Sequence, residues 1–124
     1  MHESTLALSI LGIVVDEAAK AHAAAVRSVT LCVGELACVE PQTLTACFEL
    51  VAEGTLADKT RLSIRRIPAT GTCEVCGAAV RRQNRLMRCP KCSAASIKLV
   101  TGRELYVESI EVDQSPEDGH GNRI

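Results

Sequence analysis

A chain of 124 residues is long enough for one domain, or one domain with a small satellite, and a hydrophobic content of 47% supplies a core. Phe48 and Tyr106 are its only aromatics, so that core rests on Leu, Val, Ile and Ala, and base stacking on aromatic side chains is disfavoured as a mode of nucleic-acid binding. Net charge is −1, but residues 68–98 hold six basic residues against Glu74 alone, which leaves +5 there and −6 elsewhere; four metal-bound thiolates would reduce that segment to a mildly basic module, not a trap for polyanions.

In chain order, Ser4 or Thr5 is placed to cap a helix over about residues 5–24, in which Leu6, Ile10, Ile13, Val14, Ala18 and Ala21 recur at helical spacing. The apolar run from Leu6 to Val15 falls short of the roughly 20 residues that span a bilayer. The first residues also lack a basic region of the kind that opens a signal peptide, so a cytoplasmic location is expected. Next, SVTLCVGEL alternates Val29, Leu31 and Val33 with Ser28, Thr30 and Cys32, which predicts a strand stopped near Gly34. Pro41 opens a second helix, PQTLTACFELVAEG, with Leu44, Phe48 and Val51 on one face. RLSIRRI reads as a second strand through Leu62, Ile64 and Ile67, broken by Pro68 and Gly71, and ELYVESIEV reads as a third after Gly102. The tail DQSPEDGHGNRI has almost no apolar content and is expected to be disordered. The outline is an α+β fold, with two helices packed on a small three-stranded sheet and a cysteine module inserted between the last two strands.

That module carries the strongest motif. CEVC and CPKC place Cys73, Cys76, Cys89 and Cys92 as two C-x-x-C turns, twelve residues apart. Two such knuckles facing each other present the four thiolates that tetrahedral zinc takes, and in a reducing compartment metal binding is favoured over disulfides. Iron in the same cage, or a redox-active dithiol pair, is the alternative. With no open position a zinc site is structural and stabilises a module too small for a core of its own. Cys32, Cys38 and Cys47 sit singly in apolar surroundings and are expected to be buried, inert small hydrophobes.

Of three histidines, His22 falls late in the first helix and His120 in the tail. His2 has local chemistry: the Met1 amine, the His2 amide nitrogen and the His2 imidazole close two fused chelate rings on one ion. Such planar nitrogen sets suit Ni(II) or Cu(II), and Glu3 offers a fourth donor. A solvated terminal side chain is the plainer reading of His2 alone.

Taken together, MHE at the start, VTLCVGELACVEP, the CEVC and CPKC pairs and GRELYVESIEV, in this order, resemble the HypA/HybF family of hydrogenase nickel-incorporation proteins over residues 1 to about 113. The resemblance implies a cytoplasmic nickel metallochaperone for maturation of [NiFe]-hydrogenase, not an enzyme. It implies Ni(II) as cargo at Met1, His2 and Glu3, and Zn(II) as a structural ion at Cys73, Cys76, Cys89 and Cys92. The implied domains are a nickel-binding domain of residues 1–67 plus 99–113 and a zinc-binding domain of residues 68–98, with 114–124 as tail. A HypB-type GTPase and the hydrogenase large subunit are the implied partners, urease maturation proteins are added in some organisms, and a homodimer is open. Nucleic acid and membrane are not expected. Some family members complete the nickel site with a histidine from the zinc domain, but residues 68–98 hold none. The competing readings are a zinc-ribbon adaptor binding protein or nucleic acid through RRQNRLMR, and a thiol redox switch. Neither accounts for the terminus.

Overall fold

The first helix starts and stops earlier than its sequence signals suggest. In the structure, a computed structural model describing residues 2–82 and 87–114, α1 spans Glu3–Lys20. Its N-cap is His2, in extended conformation and without a side-chain cap bond, rather than Ser4 or Thr5. At the other end His22 takes a left-handed conformation (φ 55°) and its amide donates to the Ala19 carbonyl at 3.0 Å. That closes the helix as a left-handed C-terminal residue does. His22 therefore lies outside the helix, in the turn after it. The alanines expected to extend α1 instead open β1, Ala23–Gly34. Pairing with neighbouring strands overrides the helical preference of Ala.

Helix α2 spans Pro41–Val51, with Pro41 at the first turn, where a missing N–H costs nothing. Strands β2, Arg61–Ile67, and β6, Leu105–Gln114, flank β1 in the order β2-β1-β6. Thr60 Oγ1 donates to the Val26 carbonyl and the Glu35 amide to that of Ile67, so β1 and β2 run in the same direction, with α2 as their crossover. The Gly34 amide donates to the Glu104 carbonyl and Ser28 Oγ to Glu111, so β6 runs the opposite way. Three short strands appear where the sequence signalled only the cysteine excursion: β3 (Thr70–Cys73), β4 (Ala79–Arg81) and β5 (Ile97–Thr101), in the antiparallel order β4-β3-β5. At three to five residues they are too short for periodicity to register.

The chain divides into two compact units. One comprises residues up to 31, 39–64 and from 106 onward; the other comprises Cys32–Cys38 and Arg65–Leu105. In the first unit α1 and α2 pack together, burying Ala7, Ile10, Val14 and Ala18 of α1 with Leu44 and Phe48 of α2. Ile13, expected on the buried face, is half exposed at 51%. On β1 the predicted residues Val29, Leu31 and Val33 are fully buried, and Cys32 and Gly34 are buried beside them. Burial along β6 begins on Leu105 and Val107, slips by one residue at Glu108–Ser109, and resumes on Ile110 and Val112. In the second unit residues 32–38 are stitched in by the Leu36 amide, which donates to the Gly102 carbonyl, and by the Glu35 carboxylate, whose Oε1 accepts from the Ala69 amide at 2.5 Å. Of the tail expected to be disordered, Asp113 and Gln114 belong to β6 and residues 115–124 lie outside the described residues, as do Met1 and residues 83–86 of the basic run. No helix among the described residues is long and apolar enough to cross a membrane.

Two glycines separate close packing from open space. A Cβ on Gly34 would meet the Gly102 carbonyl oxygen at 2.1 Å, a backbone contact that cannot swing away, whereas one on Gly12 meets nothing within 4 Å. Gly34→Ala should therefore cost about 1–3 kcal/mol, the usual cost of overpacking. Gly12→Ala, inside α1, should gain about 0.5–1 kcal/mol by removing chain entropy from the unfolded state. Urea melts of the two variants against the parent check both signs.

Candidate metal centre

The two C-x-x-C turns fold as near copies of each other. In the first, the Cys73 amide donates to the Ala78 carbonyl and the Gly77 amide to that of Cys73, both at 2.9 Å. In the second, the Cys89 amide donates to Ala94 and the Ser93 amide to Cys89, again at 2.9 Å. Each knuckle needs one left-handed residue, and these are Gly77 (φ 78°) and Ser93 (φ 63°). Gly77 announces that need in the sequence; Ser93 does not, because only its position sixteen residues on reveals the equivalence.

The knuckles bring Cys73, Cys76, Cys89 and Cys92 together, with their sulfurs all within 4.8 Å of one another. Cys73 lies 3.5 Å from Cys92 and Cys76 lies 3.4 Å from Cys89, sulfur to sulfur. With metal–sulfur bonds of about 2.3 Å a tetrahedral ion spaces its sulfurs at about 3.8 Å, so the cage fits zinc with a small expansion. None of the seven cysteines is joined in a disulfide. Cys73 and Cys89 are buried and form a minimal core with Val80, against which Ala78, Met87, Ala94 and Ile97 pack; Cys76 and Cys92 face outward. So few apolar groups cannot hold such a module by themselves, which is the circumstance in which a metal supplies folding energy.

Amide donors, neighbouring sulfurs and burial together sort the thiols into two kinds. The amides of Cys92 and Lys91 point at the Cys89 sulfur at 3.5 and 3.4 Å and, against burial, bring its pKa down to about 6. The Cys76 amide, with that of Val75, lowers Cys73 in the same way. The Ala78 and Ala94 amides favour the thiolates of Cys76 and Cys92, but neighbouring sulfurs and burial outweigh them; Cys76 is raised and Cys92 is pushed up to about 12.

Of the other single cysteines, Cys32 is buried as expected and accepts from Arg65 Nη2 at 3.1 Å, and Cys47 is half-buried. Cys38 departs from expectation: it is exposed, with φ 58°, in the segment between β1 and α2.

At the amino-terminal end, His2 is exposed and its carbonyl already accepts from the Leu6 amide at 3.0 Å. Glu3 reaches across to α2: its Oε2 accepts from the Glu40 amide at 3.0 Å, a bond that holds its carboxyl below the usual carboxylate range. Glu40 in turn caps α2 by accepting from the Gln42 amide at 2.8 Å. Sequence reading missed Glu40 as a neighbour of the terminus, since 37 residues separate it from Glu3 and no local motif joins them. Met1 lies outside the described residues.

The thiol pKa pattern has a measurable consequence. Near pH 7 the metal-free cage holds protons on Cys76 and Cys92, and all four groups must be thiolates to bind an ion. Zinc uptake should release at least two protons per ion, so apparent affinity should fall by roughly 100-fold per pH unit on acidification, and more steeply below about pH 6 as Cys89 also protonates. Proton release during zinc titration in weakly buffered solution checks it.

A family model described as hydrogenase/urease nickel incorporation, metallochaperone, hypA matches residues 1–112. The hydrogenase maturation factor HypA of Rhizobium leguminosarum bv. viciae is 39% identical over 112 residues, covering 90% of this chain and 99% of the relative. HypA 2 of Bradyrhizobium diazoefficiens is 39% identical over 113 residues, 91% and 100% of the two chains. The solution structure of the Ni metallochaperone HypA from Helicobacter pylori shares the fold at a TM-score of 0.65 and 22% identity, over 93% of this chain and 100% of that one. The α+β architecture expected from the sequence, with its zinc-ribbon-like cysteine unit, is thus borne out. Its relatives are maturation factors rather than catalysts, and the chain is not an enzyme. From residue 1 to residue 112 this chain belongs to the HypA family of hydrogenase and urease nickel-incorporation metallochaperones.

Proposed function

We propose that this chain carries Ni(II) at its amino terminus and hands it to the large subunit of a [NiFe]-hydrogenase, while Zn(II) on Cys73, Cys76, Cys89 and Cys92 holds the cysteine unit together. The observation that carries the reading is the family match, which runs from residue 1 and so takes in the Met-His-Glu start together with the cysteine pairs. The nickel donors are the Met1 amine, the His2 amide nitrogen and the His2 imidazole. The helix supports this use of His2. As N-cap it gives its carbonyl to the ladder, but its own N–H is one of the orphan donors that no helical acceptor claims. The amide is therefore available to deprotonate toward a metal, and the exposed imidazole can follow it. Glu3 completes the set only by giving up its bond to the Glu40 amide, so water or a donor from the recipient competes for the fourth position. An incomplete ligand set suits a carrier that must release its metal.

Residues 1–67 plus 99–113 act as the nickel-binding domain and 68–98 as the zinc-binding domain. The zinc ion, with four protein ligands and no open position, does no chemistry on the cargo. The chain works in the cytoplasm with a HypB-type GTPase, which supplies nucleotide hydrolysis, and the urease maturation pathway is a second destination for the nickel.

Nickel titration of untagged, zinc-loaded protein, beside His2→Ala and a form extended by residues before Met1, tests this reading. One nickel per chain in the parent, lost in both altered proteins with zinc content and circular dichroism unchanged, is the expected result. Equal nickel binding by all three overturns it. Hydrogenase activity in cells restored by the parent and not by His2→Ala tests delivery.

A further inference from the structure

Helix α1 departs from the pattern of a surface helix. Its buried residues Ala7, Ile10, Val14 and Ala18 form a stripe on one side, and the side away from such a stripe ordinarily carries charge. Here residues 4–15 include no charged residue at all. At 3.6 residues per turn His2, Thr5, Ser9, Gly12 and Ile13 fall opposite the buried stripe, and all five are exposed. Leu8, at the border of this face, is 58% exposed, and Ile13 is 51% exposed. A shallow groove adjoins each end of the face. One is lined by His2, Thr5, Leu6 and Ser9; in the other Ile13 and Ala21 meet Ile110 and Val112 of β6, with Glu17 and Glu108 also in its wall. Gly12 lies between them. A Cβ there would meet nothing within 4 Å, so no neighbour inside the chain calls for glycine, which weakens a helix interior. Seen from outside, it is a notch where a second backbone can come close.

We propose that this face of α1 is the docking surface for the nickel recipient, which lays an uncharged, apolar helix along it; the proposal rests on the reading of nickel at the terminus. Nickel passes between proteins by ligand exchange. Each bond that breaks at the Met1 amine, the His2 amide nitrogen or the His2 imidazole is replaced by one to a donor of the recipient, the ion stays Ni(II), and the released amide nitrogen takes back a proton. The recipient's donors must therefore come within bonding distance of an ion held at His2, and a protein that close covers the surface continuous with His2. On the α2 side of His2 stand the carboxylates of Glu3 and Glu40, each already holding a backbone amide, and an approach there would strip them of water. On the other side begins the uncharged face, where contact removes only apolar and small side chains from water. From His2 to Ile13 it runs about 17 Å, long enough to take the i, i+3 and i+7 anchors of a partner helix. A membrane surface is the poorer match, because the residues that follow the face are Asp16 and Glu17 where a lipid-binding helix carries bases.

Transfer of nickel from the zinc-loaded, nickel-loaded full chain to a nickel-free large-subunit precursor tests it, timed beside nickel titrations of each chain alone. Gly12→Arg fills the notch and Ile13→Lys charges the face, both at exposed positions, and Thr43→Lys on the exposed side of α2 is the control. Gly12→Arg and Ile13→Lys should bind nickel as the parent does, yet transfer it and bind the precursor about tenfold more weakly or worse, while Thr43→Lys transfers normally. Normal transfer by both face variants, with circular dichroism showing them folded, overturns the proposal, and so does a loss of nickel binding in them that matches the loss of transfer. If the two changes alter only the oligomeric state of the chain, or only its retention by lipid vesicles, a second copy or a membrane is the occupant and the proposal fails. The parallel His2→Ala titration separates the two readings. Nickel that survives His2→Ala overturns the terminal site and this surface with it; nickel lost in His2→Ala but transferred normally by Ile13→Lys overturns the surface alone.

Discussion

Strand β1 is the constraint from which the rest of the fold follows. From Leu31 to Gly34 it is buried at every residue, so both faces of the chain are packed at once. Gly34 is the tightest point, where the backbone passes close enough to Gly102 that a single methyl group would collide with its carbonyl. Its neighbours are placed by the same strand: β2 alongside it through the α2 crossover, and β6 antiparallel on its other side. The core it supports contains one aromatic ring, that of Phe48, and is otherwise aliphatic. Close backbone approach at a glycine does here some of what large side chains do elsewhere.

The second unit is governed by four sulfur atoms. Its three strands are short, its apolar core is Val80 with two cysteines, and its knuckles each spend one residue in a left-handed conformation. The amides within each knuckle are already aimed at the sulfurs of Cys73 and Cys89, which prepares those two for the charge they carry when a cation arrives. Cys76 and Cys92 also meet amides, those of Ala78 and Ala94, but neighbouring sulfurs and burial outweigh them and they hold their protons more tightly. Metal binding and protonation are therefore opposed at the same atoms.

At the terminus the arrangement differs in kind. The site proposed at the first residues has the start of α1 beside it, with His2 as its N-cap. The bond from the Glu40 amide to Glu3 ties the first turn of α1 to the first turn of α2, so the helix that begins at the metal-capable residues is anchored. The carboxylate that performs this task is not at the same time a free ligand.

The cysteine cage was legible without coordinates because its information is local: two residues between each pair fix a turn, and the turn fixes where the sulfurs point. His2 stands out as a candidate for a similar reason, since the donors proposed beside it are its own backbone atom and the preceding residue. Strand β2 and the alternation of Val29, Leu31 and Val33 were equally plain, because a period of two survives in a seven-residue window. What the sequence could not decide were matters settled by atoms far apart along the chain. Sheet pairing pulled the alanines after His22 out of the helix that their propensity favours. Strands β3, β4 and β5 exist only because each has a partner, and Ser93 adopts the glycine-like conformation only because the second knuckle must match the first. Local chemistry set the cysteine cluster; tertiary packing decided the ends of the helix, the small sheet, and the bond between Glu3 and the Glu40 amide, because each of those depends on energies that arise only when distant segments meet.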